Sequence, residues 1–248
     1  MKQAKKSFKD KWKSLHGIAK LQYIWDSYKL PIFLICIAVY IPCYIFYRHV
    51  TAVYPQLYLG YVNIEVGETL NRRLTEEFIT YLRPEKKYSI VKTMDKLALT
   101  ENLQKVDGAY VYASQMKILS EIENQHLDLV LMNREAFDAF SQNGFLLDLR
   151  GFSEDYHLQA LKPYFIDNIE ILSDNATEVM LDPSVEYHSE TTAYPMGIEI
   201  TDFPIIQEAG FPDRVYLGII ANTPRLDTAA AYVTYLHDLV KRRFSSFR

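Results

Sequence analysis

The sequence predicts an α/β domain with a mainly parallel sheet, carried behind a single N-terminal membrane helix. Three observations lead there. An eighteen-residue stretch, Leu30 to Tyr47, has no charged residue. β-rich and helix-periodic segments alternate in the ninety or so residues after Pro55. Charge is also divided sharply along the chain. Residues 1–29 hold eight Lys and two Asp, a net +6, and the remainder carries −10 of the overall −4. A basic head, an apolar run and an acidic body describe an anchored protein. With 248 residues, nine Gly, ten Pro and two Cys, a low-complexity chain and a disulfide scaffold are both excluded.

The division gives three segments: a basic cytoplasmic segment over 1–29, a transmembrane signal anchor over 30–50 and an extracellular domain over 51–248. As a helix, Leu30–Tyr47 rises about 27 Å, close to the roughly 30 Å of a hydrocarbon core. Tyr40, Tyr44 and Tyr47 suit the outer interface, and Tyr23, Trp25 and Tyr28 the inner one. Lysines precede the run and only Arg48 and His49 follow it closely, which places the N-terminus in the cytoplasm. Bulky residues after Tyr47 offer no small-x-small cleavage site, and Pro42 before Cys43 offers no lipoprotein site. In the head, Phe8, Trp12, Leu15 and Ala19 recur at helical spacing between lysines. Cys36 and Cys43 both fall in the anchor, so the outer domain has no cysteine, as expected of a bacterial surface protein.

In the outer domain, Leu57–Asn63 reads as a first strand. Glu68–Leu82, with Leu70, Leu74 and Phe78 four apart, reads as a helix stopped by Pro84. Tyr88–Thr93 is a second strand. A helix over Tyr112–Asn124 is expected to bury Met116, Leu119 and Ile122. Leu127–Met132 is a third strand, and Arg134–Asn143 a helix closed by Gly144. Such alternation calls for parallel strands joined by helical crossovers. Further on, Ser153 reads as a helix start, Ile169–Leu172 as a short strand, 173–193 as a polar turn region, Ala193–Ile200 and Val215–Ala221 as strands, and Asp227–Val240 as a closing helix.

Three segments resemble the extracellular solute-binding proteins of bacterial uptake systems, which have the type 2 periplasmic-binding-protein fold. Tyr112-Ala-Ser-Gln through Leu127-Asp-Leu-Val-Leu-Met is similar to that family's second helix and third strand. Ala136–Leu149, ending Gly-Phe-Leu-Leu-Asp-Leu, is similar to its helix with a G-x-L-x-D-L exit. Tyr194-Pro-Met-Gly-Ile, Val215–Thr223 with its Ala-Asn-Thr turn, and the helix from Asp227 are similar to the returning strand and C-terminal helix. The resemblance implies a ligand cleft between two lobes, the second reduced because residues 51–248 are few for two. It also implies a transport permease as partner.

No HExxH, CxxC, GxSxG, P-loop or GxGxxG sequence occurs, so neither catalytic residues nor a cofactor are expected, and the chain reads as a non-enzyme. Glu186, His188 and Glu190 would share a strand face, but they read as a solvated acidic loop and not as metal ligands. Asn175-Ala-Thr177 matches a glycosylation sequon by chance. The acidic body disfavours nucleic acid as partner. Ligands of open α/β sheets sit at the C-terminal ends of strands and at helix N-termini. That rule selects Asn63, Ser114, Gln115, Asn133 and Arg134, and on the returning half Tyr194, Gly197, Asn222 and Thr223. Each also has a capping or turn role open to it. Two functions follow: a membrane-tethered solute-binding protein for capture or sensing, or a cell-envelope scaffold that uses the same fold to contact another membrane protein.

Overall fold

The computed structural model describes residues 18–85, 88–99 and 107–245. It divides into two units, residues 1–52 and 53–248.

The first unit contains helix α1, Ile18–Val50, which is continuous through Pro31 and Pro42. Tyr40 and Tyr44 stack one turn apart, with ring centroids 5.8 Å from each other. Over the described residues alone, no helix is long and apolar enough to cross a membrane. A membrane span over 30–47 rests on the uncharged sequence of that stretch. The amphipathic pattern from Phe8 to Leu15 lies outside the described residues.

The second unit is a mixed α/β domain around one six-stranded sheet, in the order β2-β1-β3-β6-β5-β4. The strands are β1 Tyr54–Val62, β2 Ser89–Leu97, β3 Leu129–Met132, β4 Phe165–Asp174, β5 Ser189–Glu199 and β6 Tyr216–Ile219. Helix α2 runs through Glu68–Arg72, a π-helical turn at Arg73–Glu77, and Phe78–Leu82. The others are α3 Gly108–Glu123, α4 Arg134–Gln142, α5 Leu149–Asp155, α6 Ala176–Leu181, α7 Pro204–Gln207 and α8 Leu226–Ser245.

Alternation along each central strand supplies two cores. On one face Leu57, Leu59 and Tyr61 of β1, Leu129 and Leu131 of β3 and Leu217 and Ile219 of β6 pack with α2 and α8. On the other, Val62, Val130, Met132 and Tyr216 pack with Ile118 and Ile122 of α3 and Phe137 and Phe140 of α4. Such helices on both faces are what consecutive crossovers produce when the second strand lies to one side of β1 and the third to the other.

A mainly parallel sheet is correct only for β2-β1-β3. The pairings β3–β6, β6–β5 and β5–β4 are antiparallel. The chain after β3 returns through a hairpin whose turn contains α6, and so the sequence shows no short turn signal there. The reading of 173–193 as a turn region misses that β4 and β5 continue into it. Nor does a second lobe form among the described residues, because β4 and β5 join the same sheet. Two helix readings also change. The buried residues of α3 are Val111, Ser114, Ile118 and Ile122, whereas Met116 and Leu119 are exposed. Ser153 lies in the last turn of α5, which is capped by Asp148, whose carboxylate accepts the Arg150 backbone N–H at 2.9 Å.

The π-helical turn in α2 is matched by α8. A π turn leaves a backbone carbonyl without its usual helical partner, and the Tyr235 hydroxyl donates to the Arg73 carbonyl at 2.9 Å. Beside it, Tyr61 donates to Asn71 Oδ1 at 2.8 Å, while the fully buried Tyr232 hydroxyl has no hydrogen-bond partner among the described residues. Burial pushes the ionisation of both Tyr61 and Tyr232 well above the usual tyrosine range. Above about pH 10 an unfolded tyrosine loses its proton while these two keep theirs, so the native state binds more protons and stability falls as pH rises. The stabilisation is complete below that pH. Alkaline denaturation followed by circular dichroism checks this: Tyr232→Phe, which removes the unpartnered hydroxyl, is expected to extend the folded range upward in pH.

Candidate functional site

At the C-terminal end of the parallel strands, Asn63 follows β1 in a left-handed conformation with φ 56°. Asparagine tolerates that region better than most residues because its short side chain can bond locally. Its Oδ1 accepts the Leu99 N–H at 2.8 Å, and its Nδ2 donates to Asn133 Oδ1 at 3.3 Å. Asn133 caps α4 by accepting the Ala136 N–H on the same oxygen at 3.0 Å. The two carboxamides therefore tie β1, β3, α4 and the segment after β2 together.

Arg134 is held close to the same edge. Its Nε lies 2.9 Å from Asp138 Oδ1, one turn along the helix, and Asp138 also accepts from Asn168 Nδ2 of β4 at 2.8 Å. The guanidinium lies over the Phe137 and Tyr216 rings, 5.6 and 5.8 Å from their centroids. Hydrogen bonding to Asp138 raises its already high ionisation range further. The guanidinium that could grip a ligand carboxylate is thus already paired, through its Nε, with a carboxylate of its own helix.

Gly197 belongs to a row across the sheet that contains three glycines. Gly60 of β1 pairs with Val130, Val130 with Gly218, and Gly218 with Gly197. The row forms a trough, and the protein fills it with its own side chains. A Cβ at Gly197 would lie 2.5 Å from the Phe137 ring, and one at Gly218 would lie 2.6 Å from Met132 Cε. Phe137 in turn stacks on Tyr216 with centroids 5.1 Å apart and planes 6° from parallel. The close approach that glycine permits is made here by an aromatic ring of α4.

The remaining candidates lie elsewhere. Ser114 is on the buried face of α3, and Gln115 beside it is exposed. Tyr194, on β5, donates to Glu170 on β4, and Arg150 lies 5.4 Å from its ring centroid. Burial, with the Glu170 carboxylate second, pushes its hydroxyl up to about 12. Asn222 and Thr223 stand at the opposite end of the sheet from Asn63 and Asn133, because β6 runs antiparallel to β3. The expected set is thus divided among the two ends of the sheet, one helix face and the β4–β5 hairpin. Glu186 and Glu190, read as a solvated loop, sit at that hairpin: the Glu186 carbonyl accepts from Asn175 Nδ2 at 2.9 Å.

The residue that sequence reasoning missed is Asp128. It is fully buried. Its carboxylate accepts the Tyr58 N–H of β1 at 2.7 Å, the Arg225 Nε–H at 2.7 Å and the Thr223 hydroxyl. Arg225 also donates to the Gln125 carbonyl, and its guanidinium lies 4.6 Å from the Tyr58 ring centroid. His126 stacks on the same Tyr58 ring, with centroids 5.0 Å apart. Asn222 donates to the Ile122 carbonyl at 2.8 Å, closing the end of α3. A lone acid inside the apolar run Leu127–Met132 was the available signal, since an ionised side chain in a buried strand requires partners. No group of three or more potential metal ligands occurs among the described residues.

No family model matches the chain, and no curated protein or solved structure matches it either.

Removing either partner of a buried ion pair leaves the other uncompensated, at a cost of about 3–5 kcal/mol. Asp128→Ala and Arg225→Ala are each expected to lower unfolding stability on that scale in urea titrations. The double variant should lose less than the sum, because both single changes break one interaction.

Proposed function

We propose that the chain is a non-catalytic scaffold of the cell envelope, tethered by one N-terminal membrane helix, which contacts another membrane protein through its outer domain. One observation carries the reading. The positions where an open α/β sheet would hold a ligand are occupied by the domain itself: Asn63 and Asn133 bond to each other, Asp138 holds Arg134, and Phe137 fills the trough beside Gly197. In this reading the basic head, with its net +6 over 1–29, lies in the cytoplasm and residues 51–248 outside.

A solute-binding role is the second reading. Its support is the motif resemblance described above, together with the parallel β2-β1-β3 half-sheet with helices on both faces. In that case a closing cleft would have to reorganise the Asn63–Asn133 and Arg134–Asp138 contacts.

Thermal unfolding of the full chain in detergent separates the two. A ligand present at about a hundred times its Kd adds roughly 2.7 kcal/mol to stability. Under the scaffold reading, sugars, free amino acids, oxyanions and divalent metals leave the melting temperature unchanged. A rise of several degrees with one of these classes would overturn it in favour of solute binding.

A further inference from the structure

The two edges of the sheet are built differently. An exposed strand edge presents unpaired N–H and C=O groups, and proteins protect such edges with lysines, prolines or local distortion. The β2 edge follows that rule. It carries Lys92 and Lys96, and Lys96 itself is left-handed at φ 57°. The β4 edge has neither lysine nor proline over its ten residues, Phe165–Asp174. Among the described residues no strand pairs with its outer side. Between two bulges, Asp167–Ile171 forms a regular run against β5, in which the Ile169 N–H donates to the Asn168 carboxamide at 2.9 Å, a local bond that an incoming strand would replace.

The surroundings of this edge are equally particular. Residues 165–199 contain eight Asp and Glu and no Lys or Arg, and so carry −8 of the net −11 of residues 51–248. Apolar side chains stand exposed within the acidic field: Ile169 is 46% exposed, Leu172 57%, and Met180 and Leu181 above 80%. A groove of about 460 Å³ lies alongside, lined by Gln142, Asn143, Ile171, Leu172, Ser173 and Asp174. The C-terminal end of α4, where the helix dipole is negative, forms its far wall.

We propose that the outer edge of β4 accepts an extended segment of a partner protein, rich in Lys or Arg alternating with apolar residues, as an added strand. Main-chain hydrogen bonds supply the pairing, and the acidic field with the neighbouring groove selects the side chains. A second copy of this chain fits poorly, since pairing β4 with itself would set Asp167, Glu170 and Asp174 against the same residues. The proposal rests on the scaffold reading and names the chemistry of its partner.

The test uses the full chain in detergent and a fluorescent peptide of about ten residues alternating Lys with Val and Thr, long enough to match one strand. Three variants of the peptide accompany it: Lys replaced by Glu, a central Val replaced by Pro, and the same residues in blocks without alternation. Anisotropy is expected to show binding of the alternating Lys peptide, at least tenfold weaker for each variant. Binding should weaken several-fold when salt is raised from about 0.05 to about 0.5 M, as Coulomb attraction is screened. Backbone amides of 165–174 should gain protection from exchange when the peptide binds. Equal affinity for the proline or block peptide would overturn the proposal in favour of unspecific charge attraction. Protection of 165–174 that rises with protein concentration alone would overturn it in favour of self-association. Absence of any peptide binding would overturn it too, yet leave the scaffold reading intact, since that reading falls only to a small solute.

Discussion

The sheet is organised around one buried charge. Asp128 sits between β1 and β3, where no water reaches it, and an isolated carboxylate there would cost far more than a small domain can sustain. Its position is tolerable because donors arrive from distant parts of the chain: a backbone N–H from β1, a hydroxyl from the loop after β6 and a guanidinium just before α8. The carboxylate therefore links the first strand, the middle strand and the last helix. Without the return of β6 beside β3, Thr223 and Arg225 would not reach it. The antiparallel insertion of β6, which breaks the parallel pattern, is the arrangement that satisfies this charge.

From that junction the fold separates into a firm half and a projecting half. β6 pairs with β5 only at Gly197–Glu199. Past that point, Leu146 bridges to Ile220, and Leu147 and Ala221 exchange backbone bonds with Ile219 and Phe145. The 145–147 segment thus takes the side of β6 that β5 would otherwise continue to occupy. The hairpin is turned away as a two-stranded ribbon, held by α4 through Asn168 and Asp138. A ribbon of two strands is marginal by itself, and its exposed apolar and acidic side chains make sense as a surface for contact.

What could be read from the residues was the local part. The strands at 57–63 and 127–132, the helix stopped by Pro84 and the Gly144 terminus, with φ +67°, follow from periodicity and turn chemistry within a few neighbours. Partners in the second half are distant in sequence. β4 and β5 are joined through α6, and β6 is inserted next to a strand 84 positions earlier, as in the pairing of Met132 with Tyr216. No local pattern encodes that choice. On α3 both Met116 and Ile118 are apolar, and only the docking of the helix decides that Ile118 turns inward. For the candidate site, the rule of strand ends selected Asn63 and Asn133, whose side chains lie within hydrogen-bond reach of each other. Their carboxamides prove to satisfy each other and the chain, which residue type alone could not decide. Asp128 lies within an apolar run, and its partners Thr223 and Arg225 are 95 and 97 residues away, beyond the reach of any local pattern.

A tightly tied strand core thus carries a ribbon only loosely coupled to it. Native-state hydrogen exchange of the full chain tests this residue by residue. Amides of Tyr58, Leu131 and Ile219 are expected to exchange only through global unfolding, while those of 172–174 and 189–191 open locally and exchange orders of magnitude faster. Uniform protection across all six strands, or opening of the β1–β3 pair before the ribbon, would contradict it.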